Sequence, residues 1–212
     1  MKKFKTAVLY FVYLFLTWSF YRFFFRLPVE IEIAIIKPLI WILPILAILY
    51  QQKLKLDSLG FSFINLFSSL KASILLGSVF VGLSLIANYS KYSELSFMAI
   101  FSGSSLLSAF LFSAISAISE EISYRGYLLS RFQDFLKNEK LSAFLVSIAA
   151  VCIFIVSRLF LGNQETTLSL MIMALLVFVF NIGNSILFLR HKNIFASILV
   201  NVLWQWPIIL FR

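Results

Sequence analysis

Seven apolar stretches, each about as long as a lipid crossing, constrain this chain more than any other feature. They run over Ala7–Phe25, Ile33–Tyr50, Ala72–Ala87, Phe97–Ser119 and onward, Leu141–Phe160, Leu168–Leu189 and Ile194–Leu210. A hydrocarbon core about 30 Å thick is crossed by ~20 apolar residues in an α-helix. No water reaches the backbone there, so each segment must satisfy its own N–H and C=O groups, and helices do that. The chain is 61% hydrophobic and 13% charged. Soluble domains carry roughly 45–50% apolar and about 25% charged residues. The expectation is an all-α, polytopic membrane helical bundle of about seven transmembrane helices. Residues 1–212 form a single integral membrane domain, with no repeat and no second domain in view.

Charge placement gives an orientation and excludes some partners. With the N-terminus in the cytoplasm, twelve of the 18 basic residues fall on the inner side. The other six are Arg22, Arg26, Lys37, Lys91, Arg158 and Arg212. Basic residues concentrate in cytoplasmic loops, so the count places the N-terminus inside and the C-terminus outside. The net charge of +9 then points to an anionic leaflet of the cell membrane and not to nucleic acid, because the basic residues flank apolar segments. The first span follows Lys2, Lys3 and Lys5 as a signal peptide would, yet it is long, aromatic and without a small-residue cleavage site. It reads as a retained helix. Pro38 and Pro44 should kink the second span. Gln51–Lys71 alternates apolar with polar residues and is expected partly along the inner interface. A single cysteine, Cys152, allows no internal disulfide. The single histidine, His191, sits in Arg190-His191-Lys192 and reads as a loop residue, so a site with several histidine ligands is excluded.

Two adjacent carboxylates break the fourth stretch. Glu120 and Glu121 follow about twenty residues without a charge. An ionised carboxylate at mid-bilayer costs on the order of 2.5–3.5 kcal/mol by insertion scales, and such residues face the protein interior and serve function by default. Arg125 stands one turn after Glu121, at the spacing of a salt bridge on one helix face. Glu120 has no such partner on its own face. The apolar run continues past the glutamates to Leu136 without a proline, so one helix from about Phe97 to Leu136 is the simplest reading. Ser102, Ser105 and Ser108, then Ser113, Ser116 and Ser119, recur along it. Small residues let helices approach closely, which makes this helix central.

The turn Lys137-Asn138-Glu139-Lys140 sets a register between the fourth and fifth spans. Glu120 lies 19 residues before Glu139 and Arg158 lies 19 after it. At ~1.5 Å per residue both sit roughly 28 Å from the turn. Arg158 is itself a charge in an apolar run. It either pairs with Glu120 or Glu121, or snorkels to the outer surface. The last span carries Asn201 and Gln205 one turn apart. Their amides can hold an oxyanion or bond between helices.

These residues resemble a known family. Glu120-Glu121-x-x-x-Arg125 with Gly126-Tyr127-Leu128-Leu129 is similar to the first motif of the CPBP family, the CAAX-prenyl endopeptidases and bacteriocin-processing or Abi proteins. The Phe-x-x-x-His motif aligns with Phe154–Arg158, and the His-x-x-x-Asn-like motif with Asn201–Gln205. A CPBP-like core over residues 97–205 follows. The resemblance implies that Glu120 activates water for peptide hydrolysis, with the other motif residues as polarising groups or, in an older view, metal ligands. Both histidine positions differ, holding Arg158 and Asn201, and Gln205 takes the terminal amide position. Arginine neither deprotonates nor binds a metal by its normal chemistry. The expected site is therefore Glu120, Glu121, Arg125, Arg158, Asn201 and Gln205, without metal or other cofactor, in a degenerate peptidase. Its partners are the lipid bilayer and a peptide or another membrane protein, in bacteriocin immunity or envelope regulation. The alternatives are an active intramembrane endopeptidase and a small transporter. Against the transporter stands the lack of repeats and of broken helix pairs.

Overall fold

The computed structural model of the protein describes residues 2–25, 27–63, 65–92, 106–159 and 167–210, and its long elements are all helical. The spans are α1 (Lys2–Phe24), α2 (Val29–Gln51), α3 (Leu66–Tyr92), α4 (Leu106–Glu121, run on by Ile122–Leu129 and Ser130–Leu136), α5 (Glu139–Leu159), α6 (Thr167–His191) and α7 (Ile194–Leu210). Among the described residues, five of them, α1, α2, α3, α5 and α6, are long and apolar enough to cross a membrane. Leu9, Leu16 and Phe23 on α1, Leu75 on α3 and Leu168 on α6 stay exposed on the bundle. Such apolar surface is what a bilayer covers, and the protein is a multi-pass membrane helical bundle.

The long fourth helix is present from Leu106 to Leu136, and it touches α1, α2, α5, α6 and α7. Residues 97–105, with Ser102 and Ser105, lie outside the described residues. Ser113, Ser116 and Ser119 are buried at its helix contacts. Directly after the glutamates the helix widens: Ile122–Leu129 is π-helical and buried throughout. Such wide turns are rare and cluster at functional sites. The Ser130 hydroxyl donates to the Arg125 carbonyl, five residues back, which serves one of the backbone acceptors of this stretch.

α2 departs from a regular α-helix ahead of each proline, whose missing N–H leaves a gap in the hydrogen-bond ladder. A π turn over Glu32–Ile36 precedes Pro38, and the helix is interrupted at Ile42, before Pro44. The Trp41 carbonyl beside this interruption accepts from the Tyr10 hydroxyl at 2.7 Å and from Ser123 at 3.4 Å. α1 is tied to α5 by Trp18, whose indole N–H donates to Ser157 at 2.8 Å.

One end of the bundle gathers the start of α1, the α2–α3 link, the end of α4 and the α6–α7 link. Phe4 stacks on Phe135 at 4.2 Å, Lys192 donates to Gln133 at 2.6 Å, and the Asn193 amide reaches the Ser62 carbonyl at 2.9 Å. The α2–α3 link is not simply a surface strip. Its 3₁₀ turn Leu56–Leu59 buries Leu59 against Gly126, while Phe63 and Phe67 remain exposed. A Cβ on Gly126 would stand 3.1 Å from the Leu59 carbonyl oxygen and 3.0 Å from Ile194. Gly60 closes the turn at φ +85°, a conformation glycine adopts without strain, and its carbonyl accepts from Ile194 N–H at 2.9 Å.

Candidate functional site

A cavity of about 420 Å³ opens between the helices, within the roughly 300–1,000 Å³ range of ligand sites. Every span contributes to its wall. α4 presents Ser116, Glu120 and Tyr124, four residues apart on one helix face, and α7 presents Asn201, Trp204 and Gln205. α2 adds Lys37 and Trp41, α5 adds Phe154, Ser157 and Arg158, and α6 adds Phe180 and Asn181. Trp18 and Arg22 come from α1, and Ser84 and Asn88 from α3.

The two glutamates separate sharply. The Glu120 side chain is 26% exposed and the Glu121 side chain 0%. Glu120 Oε1 lies 2.5 Å from Lys37 Nζ, and that ammonium also donates to Ser116 Oγ at 2.7 Å. Glu121 Oε1 lies 3.1 Å from Arg125 Nη1, the i,i+4 pair that the spacing announced. Arg125 further donates to the Asn181 carbonyl at 3.2 Å, which ties α4 to α6 behind the cavity wall.

Asn201 bridges the carboxylates. Its Nδ2 donates to Glu120 Oε2 at 3.1 Å and to Glu121 Oε1 at 2.6 Å. Gln205 Nε2 donates to Asn201 Oδ1 at 2.9 Å, and Ser113 Oγ donates to Gln205 Oε1 at 3.3 Å. The amide of Asn201 is thereby fixed with its N–H groups toward the carboxylates. The one-turn spacing of Asn201 and Gln205 on α7 makes this chain possible, and α7 packs directly on α4.

Of the residues singled out from the sequence, Glu120, Arg158, Asn201 and Gln205 line the cavity together. Glu121 and Arg125 are completely buried and hold the wall from behind. The guanidinium of Arg158 lies 5.4 Å over the Phe154 ring. The cation set on Glu120 is Lys37, a residue that entered the charge count only among the six basic residues not assigned to the inner side. Lys37 lies within α2, and its side chain is only 10% exposed. The signal for it was available: it is a lone charge inside the apolar run Ile33–Tyr50. Arg22 was also missed; it lines the cavity and pairs with Glu32 at 2.6 Å.

The residues at hand do not make a zinc site. Zinc takes imidazole, thiolate or carboxylate ligands. Here Glu120 carries an ammonium and two amide side chains complete the group. No cluster of three such ligands occurs among the described residues.

A family model described as type II CAAX prenyl endopeptidase, Rce1-like, matches residues 102–207. No curated protein matches the chain, and no solved structure does. The match takes in the carboxylates, Arg158 and the amides of α7 but leaves out Lys37, Trp18 and Arg22. The chain belongs to the Rce1-like family of type II CAAX prenyl endopeptidases.

Proposed function

We propose that the protein is an intramembrane endopeptidase in which Glu120 activates water against a peptide bond held in the cavity. The observation that carries this reading is the placement of Glu120: a carboxylate on the cavity wall, 2.5 Å from an ammonium and 3.1 Å from an amide N–H. Glu120 takes the proton of the attacking water, the role of a general base within hydrogen-bond reach. Arg158, on the same wall, supplies guanidinium N–H groups to the oxyanion, the largest single contribution in most acyl-transfer sites, while Asn201 fixes the Glu120 carboxylate. Gln205 orients Asn201, and the Glu121–Arg125 pair holds the helix that carries the base. The cation beside this base is a lysine, whose ammonium, unlike a guanidinium, is able to donate a proton.

A second reading has its own observation. Arg158 and Asn201 occupy both positions at which the family motif carries histidine. The cavity then binds a peptide or a membrane partner without turnover, as bacteriocin immunity or envelope regulation requires. The protein purified in nanodiscs is to be given a farnesylated peptide and its unmodified counterpart, beside Glu120→Gln. We expect cleavage that falls by 10²-fold or more in the variant. Binding with no cleavage by either protein establishes the second reading instead. The same proposal places the CPBP-like core at residues 97–205 within one domain, and puts the protein in the cell membrane with a cytoplasmic N-terminus.

A further inference from the structure

We propose that Lys37 is a catalytic residue, the general acid that protonates the leaving amine and is recharged by Glu120. This rests on the endopeptidase reading and names a group that the family match does not contain, since Lys37 lies outside residues 102–207.

Peptide hydrolysis needs two proton movements. Water must lose a proton as its oxygen attacks the carbonyl carbon, and the amine nitrogen must gain one as the C–N bond breaks. An imidazole performs the second task well. At the motif positions, however, stand Arg158, which does not release a proton, and Asn201, whose amide does not either. The cavity wall offers two better donors in Lys37 and Tyr124, both buried polar-tipped side chains.

Geometry selects Lys37. Its Nζ touches Glu120 Oε1 at 2.5 Å and Ser116 Oγ at 2.7 Å. Two of its three N–H groups are so engaged among the described residues, and the third is left for the cavity that Lys37 lines. The ammonium also lies over the Trp41 ring, 5.1 Å from its centroid. The residue stands directly after the π turn Glu32–Ile36 and before Pro38, where the widened turn changes the phase of α2. The other charged or titratable groups on the wall are Arg22, Glu120, Tyr124 and Arg158.

The steps balance. A water proton passes to Glu120 as the new C–O bond forms. The C–N bond breaks and the amine takes a proton from the Lys37 ammonium. The carboxylic acid of Glu120 then returns its proton to the neutral Lys37 amine across their direct contact. Net, one water is consumed, and one carboxylic acid and one amine are released.

The test compares a farnesylated peptide with the same compound carrying an ester at the scissile bond. An alkoxide leaves with far less need of an acid. Lys37→Arg retains the charge but cannot release the proton. We expect its kcat on the peptide to fall by 10²-fold or more with KM unchanged, while the ester is hydrolysed within a few-fold of the wild-type rate. Thermal unfolding confirms that the variant folds, and Lys37→Gln gives the same peptide-to-ester split should Lys37→Arg not fold. Full peptide kcat in Lys37→Arg, or equal losses on peptide and ester, overturns the assignment. A peptide-selective loss in Tyr124→Phe, with Lys37→Arg fully active, moves the role to Tyr124. Wild type that cleaves neither compound removes the endopeptidase reading itself, which the Lys37 result alone does not touch.

Discussion

Glu120 and Glu121 are neighbours in the chain with different physical tasks. Successive residues on a helix point about 100° apart, so one faces the cavity and the other the packed interior. Glu121 is completely buried, and Arg125 beside it is completely buried too. Glu121→Gln leaves that guanidinium without its countercharge. Breaking a buried pair from one side costs roughly 3–5 kcal/mol, so the variant should unfold at a clearly lower temperature in detergent. Glu120→Gln should cost much less. Its carboxylate is 26% exposed to the cavity, so its pair with Lys37 is less desolvated than the fully buried Glu121–Arg125 pair. Comparing the two melting temperatures checks the assignment; equal losses would contradict it. Hydrolysis, by contrast, should be lost in Glu120→Gln while the fold persists.

At the level of elements, α4 is held by a close approach as well as by its charges. Gly126 sits in the π-helical stretch, where the 3₁₀ turn of the α2–α3 link presses Leu59 onto it. A methyl there meets a backbone carbonyl at 3.1 Å, and backbone yields less readily than a side-chain tip. Gly126→Ala should lower stability by about 1–3 kcal/mol, the usual range for overpacking, read by thermal unfolding. The irregular turns of α2 serve the site in another way. The π turn before Lys37 and the interruption at Ile42 flank the short stretch that carries Lys37 and Trp41 on the cavity wall, and Tyr10 and Ser123 satisfy the Trp41 carbonyl. The polar chain from Ser113 through Gln205 to Asn201 needs α4 and α7 side by side, which their small and branched residues permit.

On the scale of the whole molecule, the proposed orientation puts the two termini on opposite faces of the membrane. Lys2, Lys3 and Lys5 share an end with Lys53, Lys137 and Lys192, because Phe4 packs on Phe135 and Lys192 reaches Gln133. A reporter active only in the cytoplasm should therefore work when fused before Met1 and fail after Arg212. Activity from the C-terminal fusion would contradict the proposed orientation. Much of this was legible in the sequence. The helical bundle, the run of α4 to Leu136 and the Glu121–Arg125 pair follow from apolar length and spacing within one helix. Such features are local, and the chain states them directly. The partner of Glu120 is not local: Lys37 lies 83 residues away in sequence, and Asn201 lies 81 away. Equal distance from the α4–α5 turn spoke for the depth of Arg158 but was silent on how each helix is rotated about its axis. That rotation depends on the π turns of α2 and α4, which shift the side-chain phase without a clear mark in the residues. Packing of one helix against another decided which buried cation would meet the carboxylate.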